Sequence, residues 1–396
     1  MTGAGSKVIT LCGDPGGASA LVPVVELLQR DPALCVENYA YHAGAGVLGR
    51  KGVAFGLPPQ STDSEWPDRV LGGEPVAGLL TATSHNGVNW ERRFIAAANR
   101  LGIPSLSVLD FWSNYTLRFS DESGVLGPLP DEIAIMDDVA RVEMMAEGFP
   151  SERLVVTGQP AFDSLARERQ GFSPTRKSEL RSSLGLQGRD LLLVFVSQPL
   201  RSFCSGPGNP THFGYDEVTV LTALVPALER IARAYPEQVT LMIRPHPREE
   251  LAPYRRYGSE GIRILLSVEG DTREYLMASD LVLGMNSVAL VEACVLGCAV
   301  VSLQPALAMP DPLPTNRWGW SIPVYSFDGI ESTLEPLVRE AVRRDSLRAR
   351  TETFLPRILP GAAERIANHL RSRWFGPFSS AAKSGTRPER KRIENE

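Results

Sequence analysis

Short apolar runs of strand length alternate with stretches of helical spacing almost from the first residue, which is the pattern of parallel sheets covered by helices. Residues 7–12 read as a strand, and 19–30 as a helix with Leu21, Val24, Val25 and Leu28 at helical spacing. Strands follow at 36–41, 78–82, 105–109 and 154–157. A helix at 91–101 carries Phe94, Ala97, Ala98 and Leu101 on one face and is stopped by Gly102 and Pro104. Residues 131–148 read as helical. A second series opens with the apolar run 191–196 and continues with strands at 239–243, 262–266, 281–283 and 299–303. Between them lie helices at 217–234, 272–279 and 287–296, the last closed by Gly297.

The two series predict an α/β chain with two Rossmann-like lobes whose parallel sheets face a central cleft. Residues 1–165 make the N-terminal lobe and 190–345 the C-terminal lobe. The Arg- and Ser-rich stretch 166–189, with one amphipathic piece at 177–186, reads as the linker between them. The Gly-, Pro- and Ser-rich segment 203–213 reads as a surface loop or a lid. Residues 376–396, with Arg387, Arg390, Lys391 and Arg392 and little that is apolar, are expected to be a disordered basic tail.

Composition narrows this picture. At 396 residues the chain is long enough for two or three domains at roughly 150 residues each. Its 43% hydrophobic and 22% charged residues suit folded cores. The 41 Lys and Arg against 46 Asp and Glu leave a net charge of -5, so no global basic field exists to hold a nucleic acid. Five cysteines, Cys12, Cys35, Cys204, Cys294 and Cys298, are odd in number and without a C-x-x-C pair, which argues against a disulfide framework or a zinc site. Residues 1–11 lack the features of a secretory signal, and a cytoplasmic location is the expectation. No apolar run approaches the ~18–20 residues that span a bilayer. Membrane contact is expected, if at all, only at the periphery.

Several strand exits carry candidate chemistry. Asn286 and Ser287 precede a helix, where unpaired amide hydrogens and a positive dipole end suit a phosphate. Glu292, five residues on, lies ~7.5 Å along the axis, about the span from a diphosphate to ribose hydroxyls. Arg244, His246 and Arg248 follow an apolar strand within a Pro-stiffened loop and could neutralise a departing diphosphate. In the first lobe, the turn Gly13-Asp14-Pro15-Gly16-Gly17 lacks the G-x-G-x-x-G fingerprint, and Gly16 and Gly17 leave room for a substrate or simply make a tight turn. Ser84-His85-Asn86 and Asp110 to Tyr115 also follow strands. Asp110 is the expected acid or base, with His85 and Asp14 as substitutes. Trp112, Asn114 and Gln198 are expected to touch substrate. No Walker loop, H-E-x-x-H, G-x-S-x-G or D-x-D occurs, so neither a metal site nor a bound cofactor is expected.

In this order the motifs resemble the GT-B superfamily of two-lobed nucleotide-sugar enzymes, and most of all its UDP-N-acetylglucosamine 2-epimerase-like branch. Val156-Thr157-Gly158-Gln159-Pro160-Ala161-Phe162-Asp163-Ser164-Leu165 is similar to that branch's V-T-G-N-x-x-x-D-x-L. Met285 to Ala293, with Leu296-Gly297, is similar to its nucleotide loop. The resemblance implies that the first lobe takes an acceptor and the second the nucleotide. It puts Glu292 on ribose and the Asn286-Ser287 turn at the diphosphate, and makes 346–375 terminal helices that cross back to the first lobe. The epimerase G-D-T is absent after the strand that here ends Thr81-Ala82-Thr83-Ser84, H-x-E-A-G is replaced by Val108-Leu109-Asp110-Phe111-Trp112, and no T-E-R-P-E follows Leu303. The expected function is therefore metal-independent glycosyl transfer, or a related transfer, from a nucleotide-sugar donor to an unidentified acceptor. Epimerisation or hydrolysis of the nucleotide sugar is the alternative, and non-catalytic nucleotide-sugar binding the third reading.

Overall fold

The computed structural model describes residues 5–59, 63–86, 88–121, 123–203, 212–343 and 361–375. The chain divides into two compact units: the first runs to Asp163 and resumes at Gly361, and the second spans Ser164–Pro360. Each is built on a six-stranded sheet in which every ladder is parallel.

In the first unit β1 (Ser6–Cys12), β2 (Leu34–Ala40), β3 (Val76–Thr81), β4 (Ser105–Val108), β5 (Glu132–Ile135) and β6 (Leu154–Val156) lie in the order β2-β1-β3-β4-β5-β6. The chain steps from β1 outward to β2 and then returns to β3 on the other side, so the order reverses between β1 and β3. Helices Pro15–Gln29 and Ala362–Trp374 cover one core, holding Leu21, Val24, Leu28, Ile366 and Leu370. Helix Trp90–Leu101 covers another with Phe94, Ile95 and Ala98. Gly78 is needed for this packing. A Cβ there would meet the Trp374 ring at 2.3 Å.

In the second unit β7 (Leu191–Val196), β8 (Val239–Arg244), β9 (Arg263–Leu266), β10 (Leu281–Gly284), β11 (Val300–Leu303) and β12 (Ile322–Val324) lie in the order β12-β11-β10-β7-β8-β9. The reversal here falls between β7 and β10. All six residues of β7 are buried, as expected for a central parallel strand covered on both faces.

Two expectations are corrected. Residues 131–148 hold a strand before the helix, β5 and then Asp138–Ala146, because the Asp137 carboxylate caps that helix by accepting the Ala140 N–H at 2.8 Å. The apolar run Ile133, Ala134 and Ile135 is too short to separate a strand from a helical turn by spacing alone. The expected linker at 166–189 forms helices Asp163–Gly171 and Pro174–Ser183, and residues from Ser164 onward belong to the second unit. β12 and helices His42–Arg50, Trp66–Gly72 and Gly329–Arg343 carried no reading from the sequence. Most of the expected lid, residues 204–211, lies outside the described residues, as do 344–360 and 376–396. No helix among the described residues is long and apolar enough to cross a membrane.

Candidate functional site

Open parallel sheets bind ligands beyond the carboxyl ends of their strands, where the strand order reverses. In the second unit Val196 pairs with Gly284, which brings the exits of β7 and β10 side by side. Gln198 and Asn286 meet across that point: the Asn286 backbone N–H donates to Gln198 Oε1 at 2.9 Å. Ser287 caps helix Val288–Val295, its Oγ accepting the Ala289 N–H at 3.1 Å. Glu292 is one turn further on. Its carboxylate is held at both oxygens by Arg273, with Nε 3.2 Å from Oε2 and Nη2 2.9 Å from Oε1.

The Arg244 to Glu249 loop leaves β8, next to β7. Arg244 is 6% exposed, and its guanidinium donates to Ser267 Oγ, Glu269 O, Gly270 O and Thr272 Oγ1. Four oxygens of its own chain thus occupy the donors that the sequence reading reserved for a diphosphate. Arg244 frames the loop that starts helix Thr272–Ala278. Burial lowers its pKa from the ordinary value.

His246 is differently placed. Glu249 accepts its backbone N–H, and Ser197 Oγ and Tyr254 Oη donate to Glu249 Oε1 at 3.0 and 2.6 Å. Those bonds lock the loop. His246 Nδ1 accepts the Arg248 N–H at 3.2 Å, which leaves Nε2 to carry the proton of the neutral ring. Burial lowers the imidazole pKa, and the Arg248 charge acts in the same direction against Glu249. His246 is therefore a neutral N–H donor beside the exposed Arg248.

In the first unit Leu11 pairs with Thr81, and the exits of β1 and β3 meet in the same way. The Asp14 carboxylate accepts the His85 N–H at 2.7 Å and Asn86 Nδ2 at 3.1 Å, while the Asp14 N–H donates to Ser84 Oγ at 3.0 Å. Beneath this loop Glu91, 2% exposed, accepts from Ser84 Oγ at 2.5 Å and from Tyr41 Oη. Burial pushes the Glu91 carboxyl up to about 7 in spite of those bonds, with the Asp14 charge adding to the rise.

Asp110, one strand over, is nearly enclosed. Arg118 lies 2.5 Å from its Oδ1, Thr83 Oγ1 donates to the same oxygen at 2.9 Å, and Gln159 Nε2 donates to its backbone carbonyl. A Cβ on Gly16 would stand 2.3 Å from Asp110 Oδ2, and one on Gly17 would stand 2.5 Å from Thr83 O. The space at both glycines is filled by the protein itself, not left for a substrate. Arg118, Thr83 and the start of helix Pro15–Gln29 surround the Asp110 carboxylate. Trp112 is also held within the unit. It is 5% exposed, donates Nε1–H to Asp137 at 2.8 Å and stacks on Phe162 at 6.0 Å. Asn114 is exposed in the left-handed region, with φ 58°.

The structure thus brings together Asp14 with His85, Gln198 with Asn286 and Ser287, and His246 with Arg248. Arg244, Asp110 and Trp112 are engaged by partners within their own unit, and Gly16 and Gly17 pack against Asp110 and Thr83. Arg118, Glu249 and Arg273 escaped the sequence reading because their partners are set by the tertiary fold. Glu91 did leave a signal, for it falls on the stripe of Phe94, Ile95 and Ala98, where a carboxylate must be buried.

No protein-family model and no curated protein sequence matches the chain. Solved structures do. A UDP-GlcNAc 2-epimerase from Neisseria meningitidis, determined with UDP-GlcNAc bound, superposes with a TM-score of 0.64 at 16% identity, covering 92% of this chain and 99% of that one. A putative UDP-N-acetylglucosamine 2-epimerase from Listeria monocytogenes gives 0.68 at 15% identity, covering 98% and 99%. MurG of Acinetobacter baumannii gives 0.57 at 13% identity, covering 93% and 100%. With its two Rossmann-like units and this likeness over nearly its whole length, the chain has the GT-B fold that the 2-epimerases and MurG share.

Proposed function

We propose that the chain is a GT-B enzyme that transfers a sugar from a nucleotide donor to an acceptor without a metal ion. The observation that carries the reading is the reversal point of the second unit, where Gln198 fixes the Asn286 amide, Ser287 starts the helix and Glu292 stands one turn along it. The diphosphate sits at the Asn286-Ser287 turn, with Arg248 supplying charge and His246 an Nε2–H donor. Glu292 accepts from the ribose hydroxyls. Developing negative charge on the leaving diphosphate is met by donors already in place, which is where such sites gain most of their rate.

The acceptor comes to the first unit. His85 is its proton acceptor: the imidazole is exposed, and Asp14 fixes the backbone that carries it. This geometry favours transfer over epimerisation. Asp110 is paired with Arg118, and the G-D-T aspartate of the epimerases has no counterpart.

The test is a thermal-shift panel of nucleoside diphosphates and nucleotide sugars on the chain and on Glu292→Ala. A ligand of the folded form at a hundredfold excess over its dissociation constant adds about 2.7 kcal/mol of stability. The expected result is a shift with one base that the variant loses, followed by turnover only when an acceptor is supplied and its loss in His85→Ala. Turnover without acceptor overturns transfer in favour of epimerisation or hydrolysis, and no shift with any nucleotide overturns the whole reading.

A further inference from the structure

The segment His246-Pro247-Arg248-Glu249 closes on itself. The Glu249 N–H donates to the His246 carbonyl at 2.8 Å, and the Glu249 carboxylate reaches back to accept the His246 N–H. His246 Nδ1 accepts the Arg248 N–H at 3.2 Å. This is the reciprocal arrangement of a capping box, with an imidazole in the place usually taken by a hydroxyl and proline at the next position, where no N–H is needed. The carboxylate is anchored through its other oxygen. Ser197 Oγ and Tyr254 Oη, on side chains that are almost wholly buried, reach Glu249 Oε1 at 3.0 and 2.6 Å. Ser197 follows β7 and Tyr254 belongs to the short helix Ala252–Arg256, so one carboxylate ties the turn to both.

We infer that Glu249 is a positioning residue that, through this turn, holds His246 as its Nε2–H tautomer and keeps that donor and Arg248 in place for a diphosphate. The inference rests on the proposed nucleotide site. A neutral imidazole whose Nδ1 accepts a backbone N–H carries its proton on Nε2, and an imidazolium would set a second N–H against the first. The closed turn and the Nε2–H tautomer are thus one state. Pro245 and Pro247 stiffen the segment, but neither offers an acceptor to the His246 N–H from its side chain; Glu249 does. With the turn open, the proton exchanges between the two ring nitrogens and Arg248 swings away, so a bound anion loses donors that were oriented before it arrived.

The experiment follows the imidazole nitrogens of the full chain by NMR after ¹⁵N-histidine labelling, and in parallel measures affinity for UDP, CDP, ADP and GDP. The chain has five histidines, and the signals lost in His246→Ala assign this one. The unaltered protein should show His246 as a single Nε2–H tautomer at neutral pH. Glu249→Ala should replace it by an exchange-averaged pair and weaken the best nucleotide by about tenfold, the loss of one oriented bond to a charged ligand. Glu249→Gln should restore both, because its amide oxygen can accept the His246 N–H while its amide N–H₂ donates to Tyr254 or Ser197. If Glu249→Ala does not fold, Tyr254→Phe decides, with a smaller change of the same two readouts expected.

An unchanged tautomer in the folded variants overturns the inference, whether or not affinity falls, since Glu249 would then not act through His246. A tautomer that changes while nucleotide affinity holds overturns it as well and leaves the nucleotide site standing without His246. If the unaltered chain binds none of the four nucleotides, the proposed nucleotide site falls and the inference with it, even where the tautomer responds to Glu249.

Discussion

Glu91 shows how one buried carboxyl reports on a candidate site that it does not itself touch. It is enclosed with Ser84 and Tyr41, and Tyr41 in turn accepts from Asn86 Nδ2 at 3.3 Å, so the carboxyl underlies the loop that carries His85. Its ordinary pKa of 4.5 is raised to about 7, chiefly by burial. Between those values the folded chain holds a proton that the unfolded chain has released, so stability falls as pH rises through the window. The contribution is complete below about pH 4.5 and gone above about 7. Removing the ionisable group should therefore help only at high pH: Glu91→Gln is expected to stabilise the chain at pH 8 by on the order of 3 kcal/mol and to change little at pH 4.5. Urea unfolding at the two pH values checks this. Equal effects at both would show that the carboxyl is not protonated in the folded chain. The buried face of helix Trp90–Leu101 made Glu91 legible in the sequence, but its partners Tyr41 and Ser84 lie 50 and 7 residues away and were not.

At the scale of elements, the most recognisable motif in the chain turns out to be a joint. Thr157 O accepts Arg365 Nε at 2.7 Å, Gln159 holds the Asp110 carbonyl, and the Asp163 carboxylate accepts the N–H groups of Gly361, Ala362 and Ala363 at 2.8 to 3.0 Å. The signature from Val156 to Leu165 is thus explained by how helix Ala362–Trp374 is seated on the first unit, not by chemistry on a sugar. Asp163 is to this helix what a side-chain cap is to any other, except that it comes from 198 residues away. Asp163→Ala should cost about 1–2 kcal/mol, the usual loss for a removed cap. The loss should appear in hydrogen exchange as faster opening of 361–374 before the rest of the first unit. Uniform exchange across the unit would show that the helix does not depend on that carboxylate. Strands such as β7 were legible because six apolar residues in a row have few other fates. β5 was not, because it runs into the helix that follows within three residues, nor was β12, which has Pro323 at its centre.

At the scale of the whole chain, the sequence conveyed the alternation of strands and helices and hence two parallel sheets, but not which strand lies next to which. That order decides the site. Gln198 and Asn286 are 88 residues apart and meet only because β7 and β10 are neighbours; Asp14 and His85 are 71 apart and meet only because β1 and β3 are. Both meetings fall at a reversal of strand order, and the residue types differ in a way that separates the two functions proposed. The second unit offers backbone amides, a neutral imidazole and an exposed guanidinium, which suit a diphosphate. The first offers an imidazole on a carboxylate-fixed loop, which suits a neutral hydroxyl acceptor. A nucleoside diphosphate alone should then protect amides of the second unit only. Hydrogen exchange with saturating nucleotide is expected to slow at 197–198, 246–249 and 285–292 and to stay unchanged at 83–86. Protection at 83–86 by nucleotide without acceptor would mean that the first unit binds the donor, and the assignment of roles to the two reversal points would have to be exchanged.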